Sequence, residues 1–350
     1  MSWFGLRGVA GRPSVVTIAH TPASSRDLPA PLHGLVSSHL APPRLRRRPG
    51  NHDGVHLGHV ALLARARQLA ARHAGARVVA LTFDPHPLAL LAPERAPEPL
   101  TTIARRVELL RAAGADDVAV ARFDAPYAQL EPEAFVEEEL VQRLGACAVM
   151  IGPDYRFGRG RAGDAALLRA VGARRGFEVE VLDAVGSREI ARVSSTTVRE
   201  ALRAGDVART SELLGRPHEL EGTVVEGHRR GRTIGFPTAN LDAVRVMLPP
   251  DGVYAVLVRV IDGDGLGPCV SGMMNVGTRP TFAAGRSIEV HLFDVAADLY
   301  GKTLRVGLVA RLRDEQRFAG REALVAQLEK DAVAARLATA ASVGSATLLR

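Results

Sequence analysis

The chain has 350 residues, 47% of them hydrophobic and 24% charged, which points to two globular domains rather than a disordered polymer. Its formal net charge is +7, carried almost wholly by arginine, with Lys302 and Lys330 the only lysines. No apolar run reaches the roughly 18 residues of a membrane span, and Cys147 and Cys269 lack metal-ligand spacing and read as reduced core thiols of a cytosolic protein. A basic chain attracts polyanions, ATP and nucleic acid among them. The arginines are scattered, apart from Arg46–Arg48, and the aromatics form no stacking stripe, which argues against nucleic acid as the partner.

Residues 1–49 carry seven arginines, a single acid (Asp27) and many prolines and serines. Such a start fits a transit peptide, a disordered stretch, or a wrong start or reading frame. Only Val15–Ala19 reads as a strand there. From Asn51 the pattern turns regular. Residues 60–73 predict a helix with Leu62, Leu63 and Leu69 on one side, and 78–83 a buried strand. Helices over 103–113, 134–144 and 165–175 alternate with strands over 117–123, 147–151 and 177–182, which predicts a parallel sheet covered on both faces. After about Leu214 the period changes. Strands over 222–225, 253–261, 269–276, 287–293 and 303–312, separated by Gly, Pro and Asp turns, predict an antiparallel barrel, and 319–337 an amphipathic closing helix. The boundary falls near Gly215-Arg216-Pro217.

Residues 50–59 read GNHDGVHLGH and lead into a helix. Glycines admit a phosphate close to the backbone, and a helix start adds free N–H groups and a positive dipole end. His56 and His59 can face one anion and stabilise charge building on it; alone, the pair would equally fit a capped helix start. Ser194–Arg199 (SSTTVR) offers hydroxyls and a guanidinium to a triphosphate, or a capping box from Thr197 to Glu200. Thr82–Pro87 (TFDPHP) and Gly152–Gly158 (GPDYRFG) read by themselves as a strand-ending turn and a solvated loop.

In the second half, Gly231–Asn240 reads GRTIGFPTAN, followed by Asn275–Phe282 (NVGTRPTF), Glu289–Phe293 (EVHLF) and Asp298–Gly301 (DLYG). Thr238 and Asn240 are uncharged oxygen donors of the kind Mg²⁺ accepts when phosphates supply its other ligands. Glu289 suits a base for an attacking hydroxyl, or else a solvent face. Gly301-Lys302-Thr303 mimics the tail of a P-loop, but residue 296 is alanine and a strand follows, so a P-loop is excluded.

These motifs, in this order over about residues 50–335, resemble the bacterial bifunctional riboflavin kinase/FMN adenylyltransferases. The resemblance implies a Rossmann-like nucleotidyltransferase domain over 50–214, then a six-stranded antiparallel riboflavin kinase barrel with a C-terminal helix over 215–340. It implies riboflavin, FMN and ATP as substrates, Mg²⁺ as cofactor, and no membrane or nucleic-acid partner; oligomeric state stays open. Carried over by motif, Asn51, Asp53, Gly54, Gly58, Ser195, Thr196 and Arg199 bind ATP in the first domain, with His56 and His59 catalytic, and Asp84, His86, Asp154 and Arg156 bind flavin. In the second, Gly222, Gly231, Gly235 and Pro237 bind ATP, Thr238 and Asn240 face the metal, Glu289 is the base, and Arg313 and Arg317, near the barrel's end, either contact flavin or phosphate or lie on the surface. His52 replaces the family's phenylalanine. The strand expected directly before GNxDG is replaced by PPRLRRRP (42–49), a poor strand, which leaves Val15–Ala19 as its candidate. Two alternatives follow: a riboflavin kinase with an impaired first domain, and a nucleotide- or flavin-binding regulator without turnover.

Overall fold

A computed structural model of the chain describes residues 15–19, 51–152, 154–182, 193–227, 231–262, 265–278 and 286–343. The expectations for 1–49 lie outside these, Val15–Ala19 excepted. Contacts group the chain into two units, Met1–Glu98 with Ile103–Ser195, and Pro99–Thr102 with Thr196–Arg350.

The first unit contains β1 (Val15–Ala19), α1 (Leu57–Ala70), β2 (Arg77–Asp84), α2 (Pro87–Leu91), α3 (Ile103–Ala112), β3 (Asp117–Arg122), α4 (Ala125–Ala128), α5 (Pro132–Ala134), β4 (Ala146–Ile151), α6 (Ala165–Arg175) and β5 (Glu178–Val181). Among the described residues the strands form one sheet in the order β3-β2-β1-β4-β5. Alternation along β2 divides its side chains between two cores. Val78 and Ala80 pack with Leu62, Leu63 and Leu69 of α1, and Val79, Leu81 and Phe83 pack with Phe135, Leu140 and Leu168. Each of those fully buried leucines contributes about 1.5–3 kcal/mol. The helix expected over 134–144 continues from α5 as a π-helix, Phe135–Arg143, closed by the Leu144 N–H to Glu139 O bond.

The four strands expected to form a parallel sheet run in one direction, and the correction falls on β1, the candidate first strand. β2 pairs β3, and β4 pairs β5, in parallel, but β1 runs antiparallel to both β2 and β4. Ala19 therefore lies opposite Arg77 and Ala146, at the amino ends of β2 and β4. A strand running straight into the Asn51 loop would have its direction set by that link. Here residues 20–50 intervene, a length that can reach either edge of the sheet.

The second unit contains α7 (Ser195–Arg203, all but its first residue), α8 (Val207–Leu214), β6 (Glu219–Val225), β7 (Ala239–Asp242), β8 (Gly252–Asp262), β9 (Gly265–Leu266), β10 (Val270–Thr278), β11 (Arg286–Leu292), β12 (Thr303–Arg313) and α9 (Arg321–Val343). The strand order β10-β11-β7-β6-β12-β8 closes on itself through β10–β8 pairing, and β9 is a short extension on β8. This is the expected six-stranded barrel. Its sixth strand, β7, lies inside the PTAN motif and was not among the segments read as strands, because Ala-Asn-Leu-Asp holds no β-branched residue. Inward residues such as Tyr254, Val256, Val290, Leu304 and Val306 are fully buried.

Helix α9 packs on β8, β10 and β12. Arg313 at the end of β12 grips Asp331 of α9 with Nε at 3.1 and 3.0 Å from the two carboxylate oxygens and Nη2 at 2.8 Å. Gln327 Nε2 donates to the same carboxylate at 2.8 Å. Both ionic partners are largely buried, and removing one leaves the other uncompensated. Asp331→Ala is expected to destabilise the barrel unit by about 3 kcal/mol, read as a lowered urea midpoint with unchanged slope; an unmoved midpoint would show that α9 is held by apolar packing alone.

Candidate functional site

The first site is the loop Asn51–His59 at the carboxyl end of β2. Asn51 is buried, and its Oδ1 accepts from Phe83 N–H at 2.7 Å and from the Thr82 hydroxyl at 2.9 Å. Thr82 Oγ1 also lies 3.0 Å from Asn51 O. Arg106 of α3 donates to Asp53 Oδ1 at 3.1 Å, and Ser195 Oγ donates to Asp53 O at 2.9 Å. These ties fix a loop whose backbone is otherwise strained, with φ of 48° at His52, 83° at Gly54 and 39° at Val55. Glycine carries such an angle freely, whereas β-branched Val55 does not.

The loop ends at α1, which has no acidic residue in its first turn. His56 and His59 are buried and stacked, ring centroids 3.7 Å apart, and His56 N–H donates to His59 Nδ1 at 3.3 Å. The ring of His52 lies 4.9 Å from that of His59. A Cβ on Gly58 would stand 3.1 Å from the His56 ring, so glycine keeps that imidazole in place. Among the described residues, buried Asn51 Nδ2 has no hydrogen-bond partner. Such a donor costs about 1–3 kcal/mol if left unmet, and a bound anion would satisfy it.

The expected flavin-binding residues follow the same sheet edge. Asp84 is exposed at the last position of β2, and His86 caps α2 through Leu88 N–H to Nδ1 at 3.1 Å. Asp154 is half-buried, and exposed Arg156 lies 3.8 Å from Asp164. Between these segments lies an aromatic cluster that sequence reasoning missed, where Phe83, Phe123 and Tyr127 pack at 5.7–5.9 Å and Phe135, Tyr155 and Phe157 at 5.3–5.5 Å, the two groups bridged by Tyr127 and Phe135 at 6.3 Å. Its members come from separate segments, so no stripe marks it in the sequence. Burial drives the Tyr127 and Tyr155 phenols well above their usual range, with Glu139 adding to both, so they stay protonated. Ser195 belongs to the first unit, while Thr196, half-buried, and Arg199, buried, lie on α7 in the second.

The second site lies on the barrel. Glu289 of β11 pairs directly with Asn240 of β7, and Thr238 Oγ1 lies 3.4 Å from Glu289 Oε2. Asn240 also pairs Val225 of β6, so β7 holds the PTAN side chains between β6 and the strand bearing Glu289. Pro237 O is 2.7 Å from His291 Nδ1. A Cβ on Gly231 would overlap Phe236 O, one on Gly222 would stand 2.8 Å from Asp242 O, and one on Gly227 would overlap the Asn240 amide. Gly235, exposed, sits at φ 84°. Arg321 of α9 donates to Thr233 O in the Gly231–Ile234 turn. Arg317 is exposed. Arg313, expected at the flavin or phosphate, has its guanidinium committed to Asp331 and, through Nη1, to Asp314 O at 2.9 Å.

The sequence matches the FAD synthetase family over residues 49–197 and the riboflavin kinase family over 214–339. It is 43% identical over 288 residues to the Escherichia coli K12 bifunctional riboflavin kinase/FMN adenylyltransferase, spanning 82% of this chain and 90% of that protein. The chain belongs to the bifunctional riboflavin kinase/FMN adenylyltransferase family. The relative of the same name from Pseudomonas fluorescens is 41% identical over 295 residues, covering 84% of this chain and 92% of that one. A solved structure described as a macrolide-efflux protein from Streptococcus pneumoniae matches with TM-score 0.71 and 30% identity, covering 88% of this chain and 95% of that chain. Among the described residues no helix is long and apolar enough to cross a membrane.

Within this family assignment, the kinase site suits Mg²⁺. Its donors are hard oxygens, a hydroxyl, an amide and a carboxylate on converging backbone, and glycine at 227 and 231 lets Asn240 and Phe236 O pack where a Cβ would collide with them. Motif reading passed over Arg106, which is one of two adjacent arginines in an amphipathic helix. Gly227→Ala is expected to displace the Asn240 amide and lower riboflavin phosphorylation at least about tenfold while FMN adenylylation persists; equal kinase turnover would show that Asn240 does not need its present position.

Proposed function

We propose that the barrel transfers the γ-phosphoryl of ATP to the 5′-hydroxyl of riboflavin, and that the first unit joins the FMN product to the AMP moiety of a second ATP with release of pyrophosphate. The observation that carries the kinase assignment is the direct pairing of Asn240 with Glu289, with Thr238 within reach of the same carboxylate. Glu289 accepts the hydroxyl proton as the hydroxyl oxygen attacks phosphorus. Thr238 and Asn240 hold Mg²⁺, which neutralises phosphate charge when bound. Gly222, Gly231, Gly235 and Pro237 let the backbone approach the ATP phosphates, and Arg317, rather than the committed Arg313, is available to flavin or phosphate.

In the first unit Asn51, Gly54, Gly58 and the α1 terminus offer donors to the polyphosphate, with Asn51 Nδ2 a buried donor in need of an acceptor. His56 and His59 stabilise the negative charge developing on the α-phosphate and the leaving pyrophosphate. Ser195 fixes the loop through Asp53 O. Asp84, His86, Asp154 and Arg156 orient FMN, with the Phe83–Phe157 aromatic cluster forming the apolar wall beneath it. No covalent enzyme intermediate is needed, since positioning and charge stabilisation carry the step. We divide these functions at 50–214 and 215–340, and place the enzyme in the cytoplasm on its two free cysteines.

A second reading, riboflavin kinase alone, is favoured by the antiparallel course of β1, because in open α/β sheets the phosphate loop hangs on the carboxyl end of a parallel strand. Incubation with Mg-ATP and either riboflavin or FMN separates the two. FMN followed by FAD is expected from riboflavin, and FAD with pyrophosphate from FMN. FMN left unconverted while riboflavin is phosphorylated would establish the kinase-only reading, and no turnover of either would leave a binding protein. Asn240→Ala and Glu289→Gln are each expected to abolish phosphorylation of riboflavin and spare adenylylation of FMN; undiminished kinase turnover in either would remove that residue from the site. Chelation of divalent cations is expected to halt phosphorylation and Mg²⁺ to restore it.

A further inference from the structure

The Asp53–Arg106 ion pair has no part in the chemistry above, yet it is the most enclosed charge pair beside the first phosphate loop. The two residues are 4% and 3% exposed, with Arg106 Nη2 3.1 Å from Asp53 Oδ1. Arg106 Nη1 also lies 3.3 Å from Thr82 Oγ1 and 3.5 Å from Phe83 O. Thr82 and Phe83 are the residues that hold Asn51. One guanidinium from α3 thus joins both ends of the Asn51–Asp53 segment to the carboxyl end of β2.

Two physical consequences follow. A buried carboxylate just before α1 sets a negative charge at the end of the helix where a polyphosphate is to sit, and like charges there repel strongly in a water-poor site. Arg106 cancels that charge. In addition, β1 ends at the opposite edge of the sheet, beside Arg77 and Ala146, so it does not deliver the loop to this edge. Side chains tie the loop to the carboxyl edge, and Arg106 reaches three of the anchoring groups, Asp53, Thr82 and Phe83.

We infer that Arg106 is a positioning residue for adenylyl transfer, neutralising Asp53 beside the ATP polyphosphate and pinning the loop to β2. This deepens the reading of Asn51–His59 as the ATP cradle and rests on it. A pair serving stability alone would change folding without singling out ATP.

The test is steady-state FAD formation by the full chain. Arg106→Gln is expected to raise the KM for ATP at least about tenfold, as a buried carboxylate loses its partner, with the KM for FMN within about twofold. Arg106→Lys keeps the charge and is expected to recover most of the loss. Asp53→Asn combined with Arg106→Gln removes both charges and is expected to bind ATP better than Arg106→Gln alone. An unchanged ATP KM in Arg106→Gln, an equal rise for FMN, or a double variant no better than the single overturns the inference. Should Arg106→Gln fail to fold, the Lys and double variants decide, and absence of FAD formation in both counts against it. Unimpaired FAD formation by His59→Ala would instead remove the cradle reading beneath it.

Discussion

A loop that binds polyphosphate must hold its N–H groups at a fixed point while keeping negative charge away, and both sites depend on this. In the first unit the work falls to side chains. Asn51 is bound to Thr82 and Phe83, Asp53 to Arg106 and Ser195, and the stacked imidazoles of His56 and His59 rest against Gly58. In the barrel the work falls to strand pairing, which sets Asn240 beside Glu289 and leaves Gly227 beneath the Asn240 amide.

The two arrangements respond differently to damage. A strand pairing is supported along its whole length, and β7 is held on both sides, by β6 and β11. The first loop depends on a few atoms of Asn51 and Asp53, interleaved with residues in strained backbone such as His52 and Val55. β1 buries Val16 and Ile18 in the core beneath α1, and a two-residue period would present the same face in a strand of either direction. Core formation and loop placement are therefore separable here.

That separation explains what could be read from the sequence. Leucines on one helical side marked α1, an unbroken apolar run marked β2, and apolar runs between Gly, Pro and Asp turns marked the long barrel strands. The direction of β1 carries no such mark, because Val-Val-Thr-Ile-Ala presents the same faces whichever way it runs. β7 escaped as a short strand without β-branched residues, although the barrel cannot close without it. Motif singled out the glycines, histidines and PTAN. It did not single out Arg106 or the aromatic cluster, whose partners lie in other segments of the chain. Arg313 has a second partner the sequence did not show, since it holds α9 through Asp331.

Two cradles in separate units of one chain require two nucleotides. Calorimetric titration of the full chain with a non-hydrolysable ATP analogue and Mg²⁺ measures this directly. Binding of two equivalents per chain, one of them lost in Asn240→Ala, is the expected result. A stoichiometry of one, or two equivalents that both survive that substitution, would contradict it.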